Sequence, residues 1–120
     1  MNKLLIVYFF LILFTVCSCS DDDVPGITIL TPTNGQNFNA GQIVEVKVKI
    51  SDDGDSIMNE ELYVIHENDT IVNFSDDEFA FDYIITESFV VENSSEYKIV
   101  ARARGGHGNW GSKTIYINSQ

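Results

Sequence analysis

The densest group of carboxylates in the chain is Asp52, Asp53 and Asp55, within the stretch SDDGDS. A hard cation such as calcium takes about six to eight oxygen ligands, and this loop offers a share of them. The spacing is not that of the helix-flanked calcium loop, whose central glycine and closing glutamate have no counterparts here. Aspartate and glycine are also the ordinary material of a turn. The two histidines, His66 and His107, are the other groups with metal-binding or acid–base chemistry. His66 ends one alternating segment, whereas His107 lies in a glycine-rich loop three segments later. A six-residue strand spans about 20 Å, so the two rings belong at opposite ends of a strand-built domain. His107 is expected to share an end with the aspartate loop. The set Asp52, Asp53, Asp55 and His107 is therefore the one conceivable metal site, with calcium as its ion, although zinc would want three or four close ligands. Trp110, in GNWG, could stack on a sugar ring, but a tryptophan just before a strand more often closes the end of a core, and that role is expected here. No serine stands in a nucleophile elbow, the histidines are expected apart, and a small strand-built domain is expected to have no deep pocket, so no catalytic residue is predicted.

The elements that must position these groups are strands. In IVEVKVKI, Val44, Val46, Val48 and Ile50 alternate with Glu45, Lys47 and Lys49, the period-two pattern of a half-buried strand. YKIVARAR turns Tyr97, Ile99, Ala101 and Ala103 to one face and Lys98, Val100, Arg102 and Arg104 to the other. ITILTP, ELYVIH, IVNFS, FAFDYIITESFVV and SKTIYIN supply the rest, joined by the turn-rich stretches TNGQNFNAG, SDDGDS, ENDT, NSSE and GGHGNWG. In FAFDYIITESFVV, Phe79, Phe81, Tyr83 and Ile85 are expected on one face. No segment carries a helical period. About seven short strands argue for an all-β, two-sheet sandwich. On its outer face, parity turns Tyr63, Ile65, Arg102 and Tyr116 toward solvent. Tyrosine and arginine are enriched where proteins bind partners, so these four form the candidate face for a protein or glycan ligand. Arg102 and Arg104 are expected to pair with Glu61 or Glu67.

The amino terminus is of another kind. Lys3 precedes a run from Leu4 to Val16 that is almost wholly apolar. As a helix it would reach about 20 Å, short of a hydrocarbon core of about 30 Å, and it reads as a signal-peptide core. Ser18 before Cys19, with Val16 three positions ahead, resembles the bacterial lipobox, in which the cysteine is lipidated and becomes the first residue. Cys17 fits less well, since Val16 and Phe14 would fill the positions that want small side chains. Ser20, Asp21, Asp22 and Asp23 resemble the export signal that sends some Gram-negative lipoproteins to the outer face of the outer membrane. Like charges also extend a tether. The expected organisation is a signal peptide over residues 1–18, a lipidated acidic tether over 19–26 and a sandwich over 27–118. Several acyl chains at Cys19 would anchor the chain firmly to membrane. Removing residues 1–18 removes one lysine and takes the formal charge from −11 to −12. Such a chain is repelled by phosphate backbones, so nucleic acid is excluded as a partner. With Cys17 removed and Cys19 acylated, no disulfide is available to the fold.

The pattern P…G…F.AG..V.V…ISDDGD, then LYVIHEND, then Y.I.A.A…G..GNWGS..I.I resembles bacterial Ig-like domains appended to surface glycosidases and adhesins, over Ile27 to Asn118. The resemblance implies an immunoglobulin-like sandwich that binds or spaces. It also implies that Tyr97, after the NSSE corner, bonds back to that corner through its hydroxyl, and that Ile99 packs with Val46 or Val48 where such domains carry a disulfide. Arg104 and Gly105 depart from the family, which usually has an acid there. The chain as a whole resembles small surface lipoproteins of the Gram-negative outer membrane. The expected function is non-catalytic binding, adhesion or spacing at the cell surface. The alternative is a calcium- or carbohydrate-binding accessory role for the Asp52–Asp55 and Gly105–Gly111 loops.

Overall fold

The computed structural model describes residues 24–120 apart from Asp53. The expectations for Cys19, Ser20, Asp21, Asp22 and Asp23 lie outside the described residues. Eight strands run in chain order: β1 (Gly26–Thr31), β2 (Asn37–Phe38), β3 (Ile43–Ser51), β4 (Ile57–His66), β5 (Asp69–Asp76), β6 (Asp82–Val90), β7 (Glu96–Gly105) and β8 (Trp110–Ser119). They form a three-stranded sheet, β1-β3-β6, and a five-stranded sheet, β2-β8-β7-β4-β5, and there is no helix among the described residues. The fold is the all-β two-sheet sandwich that the alternation predicts. Neighbouring strands are antiparallel except β2, which runs parallel to β8.

Alternation decides what lies between the sheets. β3 sends Val44, Val46, Val48 and Ile50 inward, and β4, β7 and β8 answer with Leu62 and Val64, with Tyr97, Ile99, Ala101 and Ala103, and with Ile115 and Ile117, all buried. Burying the four β3 side chains contributes about 6–12 kcal/mol gross, most of it offset by the entropy of ordering the chain. Tyr97 is buried beneath Phe89, with ring centroids 5.2 Å apart, and its hydroxyl accepts a hydrogen bond from the Glu92 N–H at 2.7 Å. That is the corner bond the resemblance implies. The β4–β5 hairpin turns on Glu67 and Asn68, both at positive φ, as a two-residue turn between paired His66 and Asp69 requires.

Three local expectations are corrected. The corner containing Phe38 holds a short eighth strand, because Asn37 and Phe38 pair with Asn118 and Ser119. β4 begins at Ile57 rather than Glu61. A register irregularity between Ile57 and Asn59 shifts the phase of alternation, so that both Ile57 and Glu60 point inward. β6 begins only at Asp82. Phe79 and Phe81 lie in the connection that carries the chain from the edge of one sheet to the edge of the other, and both rings are exposed.

Among the described residues that are buried, Glu60 is the acid, beside the smaller polar side chains of Ser56 and Ser119. It is 0% exposed and neither carboxylate oxygen has a hydrogen-bond partner. Burial above all, then the carboxylate of Asp76 and more weakly those of Glu78 and Asp77, push it from an ordinary 4.5 up to about 7. The Glu78 backbone N–H, which falls short of hydrogen-bond geometry, offsets only part of this. Tyr83 donates its hydroxyl proton to Asp76 Oδ2 at 2.5 Å; burial first, then this bond, pushes the phenol well above its ordinary value.

A carboxyl that holds its proton more tightly when folded stabilises the fold fully below about pH 4.5. That stability is lost as pH rises to about 7, a change on the order of 3 kcal/mol. Glu60→Gln therefore gains stability over the parent between pH 4.5 and 7.5 in urea titrations; a difference independent of pH would contradict the assignment. Tyr97→Phe removes the acceptor of the part-buried Glu92 N–H bond and lowers stability by about 0.5–1.5 kcal/mol at constant m-value, measured in the same way.

Candidate functional site

The outward face of the five-stranded sheet is laid out in cross-strand rows. Asn59, Arg104 and Trp110 form one row across β4, β7 and β8. Next come Glu61, Arg102 and Ser112, then Tyr63, Val100 and Thr114, then Ile65, Lys98 and Tyr116. The buried residues between them in sequence fix this parity, since Leu62, Val64, Ile99, Ala101, Ile115 and Ile117 all point inward. The four residues expected on the face therefore stand together on one surface. Tyr63, Ile65 and Arg102 are half-buried by their neighbours, and Tyr116 is 43% exposed.

Trp110 belongs to this surface and not to the core. It is 40% exposed, and the Arg102 guanidinium carbon lies 4.3 Å from the centroid of its ring, with that of Arg104 at 6.0 Å. Trp110 opens β8 directly opposite Arg104, so Arg102 reaches it along the diagonal that long side chains span in a sheet. This corrects the expectation that Trp110 closes the core. A guanidinium over an indole face is held by the ring's quadrupole. Arg102 also donates to Glu61 Oε1 at 3.1 Å, as expected, but Arg104 donates through Nε to Asn59 Oδ1 at 2.6 Å rather than to an acid. Glu67 approaches His66 instead, at 3.9 Å. Burial, then the Glu61 carboxylate, push the Tyr63 phenol above its ordinary value, and Arg102 pulls it back in part.

The charge distribution sets this face apart. Of the seven Lys and Arg residues in a chain of net charge −11, three (Lys98, Arg102 and Arg104) stand on the outward side of β7. The arrangement offers flat aromatic surface, fixed guanidinium donors and a sheet backbone that holds both in register. Those are the means by which a surface takes a carboxylate together with an apolar or sugar face.

The loops at the neighbouring end hold the other candidates. Asp52 Oδ1 accepts from the N–H groups of Gly54 and Asp55, both at 3.1 Å, which closes the turn, while its Oδ2 is buried without a hydrogen-bond partner. Asp55 Oδ1 accepts from the Ser56 N–H, and its Oδ2 lies 2.6 Å from His107 Nδ1. A Cβ on Gly106 would come within 2.5 Å of the Asp55 carboxylate, which would then have to shift from its place beside His107. His107 and the aspartate loop do meet, while Asp53 is outside the described residues. Among the described residues, no group of three or more His, Cys, Asp or Glu side chains is arranged to hold a metal ion. His66 lies at the far end, opposite Tyr97 and stacked on its ring at 4.6 Å, whereas Gly105 pairs with Ile57 near His107.

The Arg102–Trp110 stack is directly testable because the chain has one tryptophan. Arg102→Ala moves the fluorescence maximum to longer wavelength as water reaches the ring, and costs about 1 kcal/mol. An unchanged emission maximum would contradict the stack.

Solved structures share this architecture at low identity. Fibronectin(III)-like modules of Clostridium thermocellum CbhA superpose with a TM-score of 0.57 at 19% identity, covering 79% of this chain and 46% of that one. The endo-beta-1,4-mannanase of Thermotoga petrophila gives 0.59 at 12% identity, covering 86% of this chain and 21% of the mannanase. A CARDB domain from Pyrococcus furiosus, in complex with di-metal ions, gives 0.56 at 12% identity, covering 83% and 97%. The chain thus spans less than half the length of the first two. At these identities the likeness concerns fold alone. No curated protein matches the chain. Residues 25–101, more than half of the sequence, match the bacterial Ig domain family, and the chain belongs to that family.

Proposed function

We propose that this chain is a lipid-anchored, non-catalytic module displayed on the outer surface of the outer membrane, binding a protein or glycan partner through the outward face of β4, β7 and β8. The observation that carries the reading is the Arg102–Trp110 stack, with Tyr63 and Tyr116 on the same face. Trp and Arg are the side chains that most often dominate binding energy when a partner seals them from water. Family membership supports a module that binds or spaces. The lipobox-like Ser18–Cys19 and the following Ser20–Asp23 support acylation and outward routing.

Protease added to intact cells removes the domain from whole-cell blots; a domain protected until the outer membrane is permeabilised would contradict surface display. For binding, the chain is applied to arrays of acidic and neutral glycans and to surface proteins of neighbouring cells. Trp110→Ala and Arg102→Ala weaken retention at least tenfold, while Val90→Thr on the opposite sheet does not. Equal retention of all the variants would leave only a spacer.

A second reading draws on the buried, unpartnered Oδ2 of Asp52: the Asp52–Asp55 loop, with His107 beside it, takes calcium or supports a carbohydrate. Millimolar calcium then raises the melting temperature, and Asp52→Asn abolishes the rise. No shift in the parent chain would discard the metal.

A further inference from the structure

The segment that would tie this domain to a bilayer enters the sandwich at one particular rim. Gly26, which opens β1, lies opposite Ser51, and Ser51 lies opposite Asp82, which opens β6. Neighbouring strands are about 4.8 Å apart, so Gly26 and Asp82 stand about 10 Å apart along that rim. Phe81 immediately precedes Asp82 and is fixed there, because its carbonyl accepts the Asp52 N–H at 3.1 Å. Ala80 exchanges backbone hydrogen bonds with Ile57.

Phe79 and Phe81 flank Ala80. They are 65% and 60% exposed, and their rings meet edge to face with centroids 6.3 Å apart, sheltering each other instead of joining the core. Ile84, on the outward side of β6, is 51% exposed nearby in sequence. Phenylalanine is among the more frequently buried residues, and two exposed together on a rim form a patch that calls for a partner. Cys19 stands seven residues before Gly26. Even fully extended, seven residues reach only about 25 Å. Acyl chains at Cys19 would therefore hold this rim close to the lipid headgroups, where contact between the rings and the bilayer becomes intramolecular.

We propose that Phe79 and Phe81 are a second, non-covalent foothold on the lipid surface. This rests on the acylation of Cys19 proposed above. With the acyl chains in the bilayer, the rings enter the headgroup region and set the domain upright, with the His66–Asn68 turn pointing away. Asp77, Glu78 and Asp82 beside the rings are exposed carboxylates. They stay at headgroup level and make zwitterionic phosphatidylcholine or phosphatidylethanolamine surfaces preferred over anionic ones.

The test uses the full chain made in a lipoprotein-processing host and reconstituted in phosphatidylcholine vesicles. Trp110→Phe combined with Phe81→Trp moves the sole fluorophore to the rim. The expected result is a blue-shifted emission that lipids brominated in the upper acyl chain quench at least twofold, the blue shift being absent from the same chain carrying Cys19→Ser and kept off vesicles. Adding phosphatidylglycerol at low salt reduces the quenching. An acylated chain whose rim tryptophan stays water-exposed and unquenched overturns the foothold and leaves the anchor standing. A mature mass without acyl groups overturns the anchor itself. A concentration-dependent dimer in sedimentation that Phe79→Ser with Phe81→Ser abolishes would assign the rings to a second copy, against the lipid proposal.

Discussion

This sandwich has to close without a covalent cross-link. The chain's two cysteines, Cys17 and Cys19, both precede the strands, so the sheets are held by what alternation places between them. β3 and β7 carry that constraint most strictly: Val46, Val48, Ile99, Ala101 and Ala103 are all without solvent exposure. Where immunoglobulin-type domains commonly carry a disulfide between sheets, these aliphatic side chains supply area removed from water instead. A single register slip of β7 would turn Ile99 outward and Arg102 inward, so the pattern that stabilises the core also fixes the outer surface.

The functional surfaces inherit their geometry from this arrangement. Because Ala101 and Ala103 face inward, Arg102 and Arg104 must face outward, and the antiparallel register of β7 with β8 brings both to Trp110. The same register sets β7 beside β4, so that Asn59 and Glu61 supply acceptors for the two guanidinium groups. At the rim, three connections converge through Asp52–Phe81, Ile57–Ala80 and Asp55–His107 contacts. The chain enters beside them, with Pro25 and Val24 against Gly111. Loop chemistry and entry segment therefore share one end, and the His66 turn occupies the other.

The sequence made the interior legible where strands are half-buried throughout, as in β3 and β7, since a period of two has one physical meaning there. It also placed the histidines correctly at opposite ends and joined His107 to the aspartate loop, because strand count and strand length suffice for that. It failed where long-range geometry intervenes. The irregularity at Ile57–Asn59 breaks the phase of β4 and turns Ile57 inward out of step, whereas Glu60 keeps the parity of Leu62 and is missed by a strand that begins at Glu61. Phe79 and Phe81 continue the apparent alternation of β6 across a connection that leaves one sheet for the other. Trp110 depends on a diagonal contact between strands, which no local pattern encodes. β2 is two residues long and exists only through its pairing with β8.

The central claim is that packed aliphatic alternation alone makes one rigid body of both sheets. Native-state amide hydrogen exchange on the full chain tests it most directly. The account predicts that the paired amides of β3, β4 and β7 exchange only through global unfolding, at one common free energy, with and without reductant. The edge strand β5 and the Gly105–Asn109 hairpin should open at lower cost. Amides of Ile99, Ala101 and Ala103 that exchange as readily as the β5 edge, or protection that collapses in reductant, would contradict it.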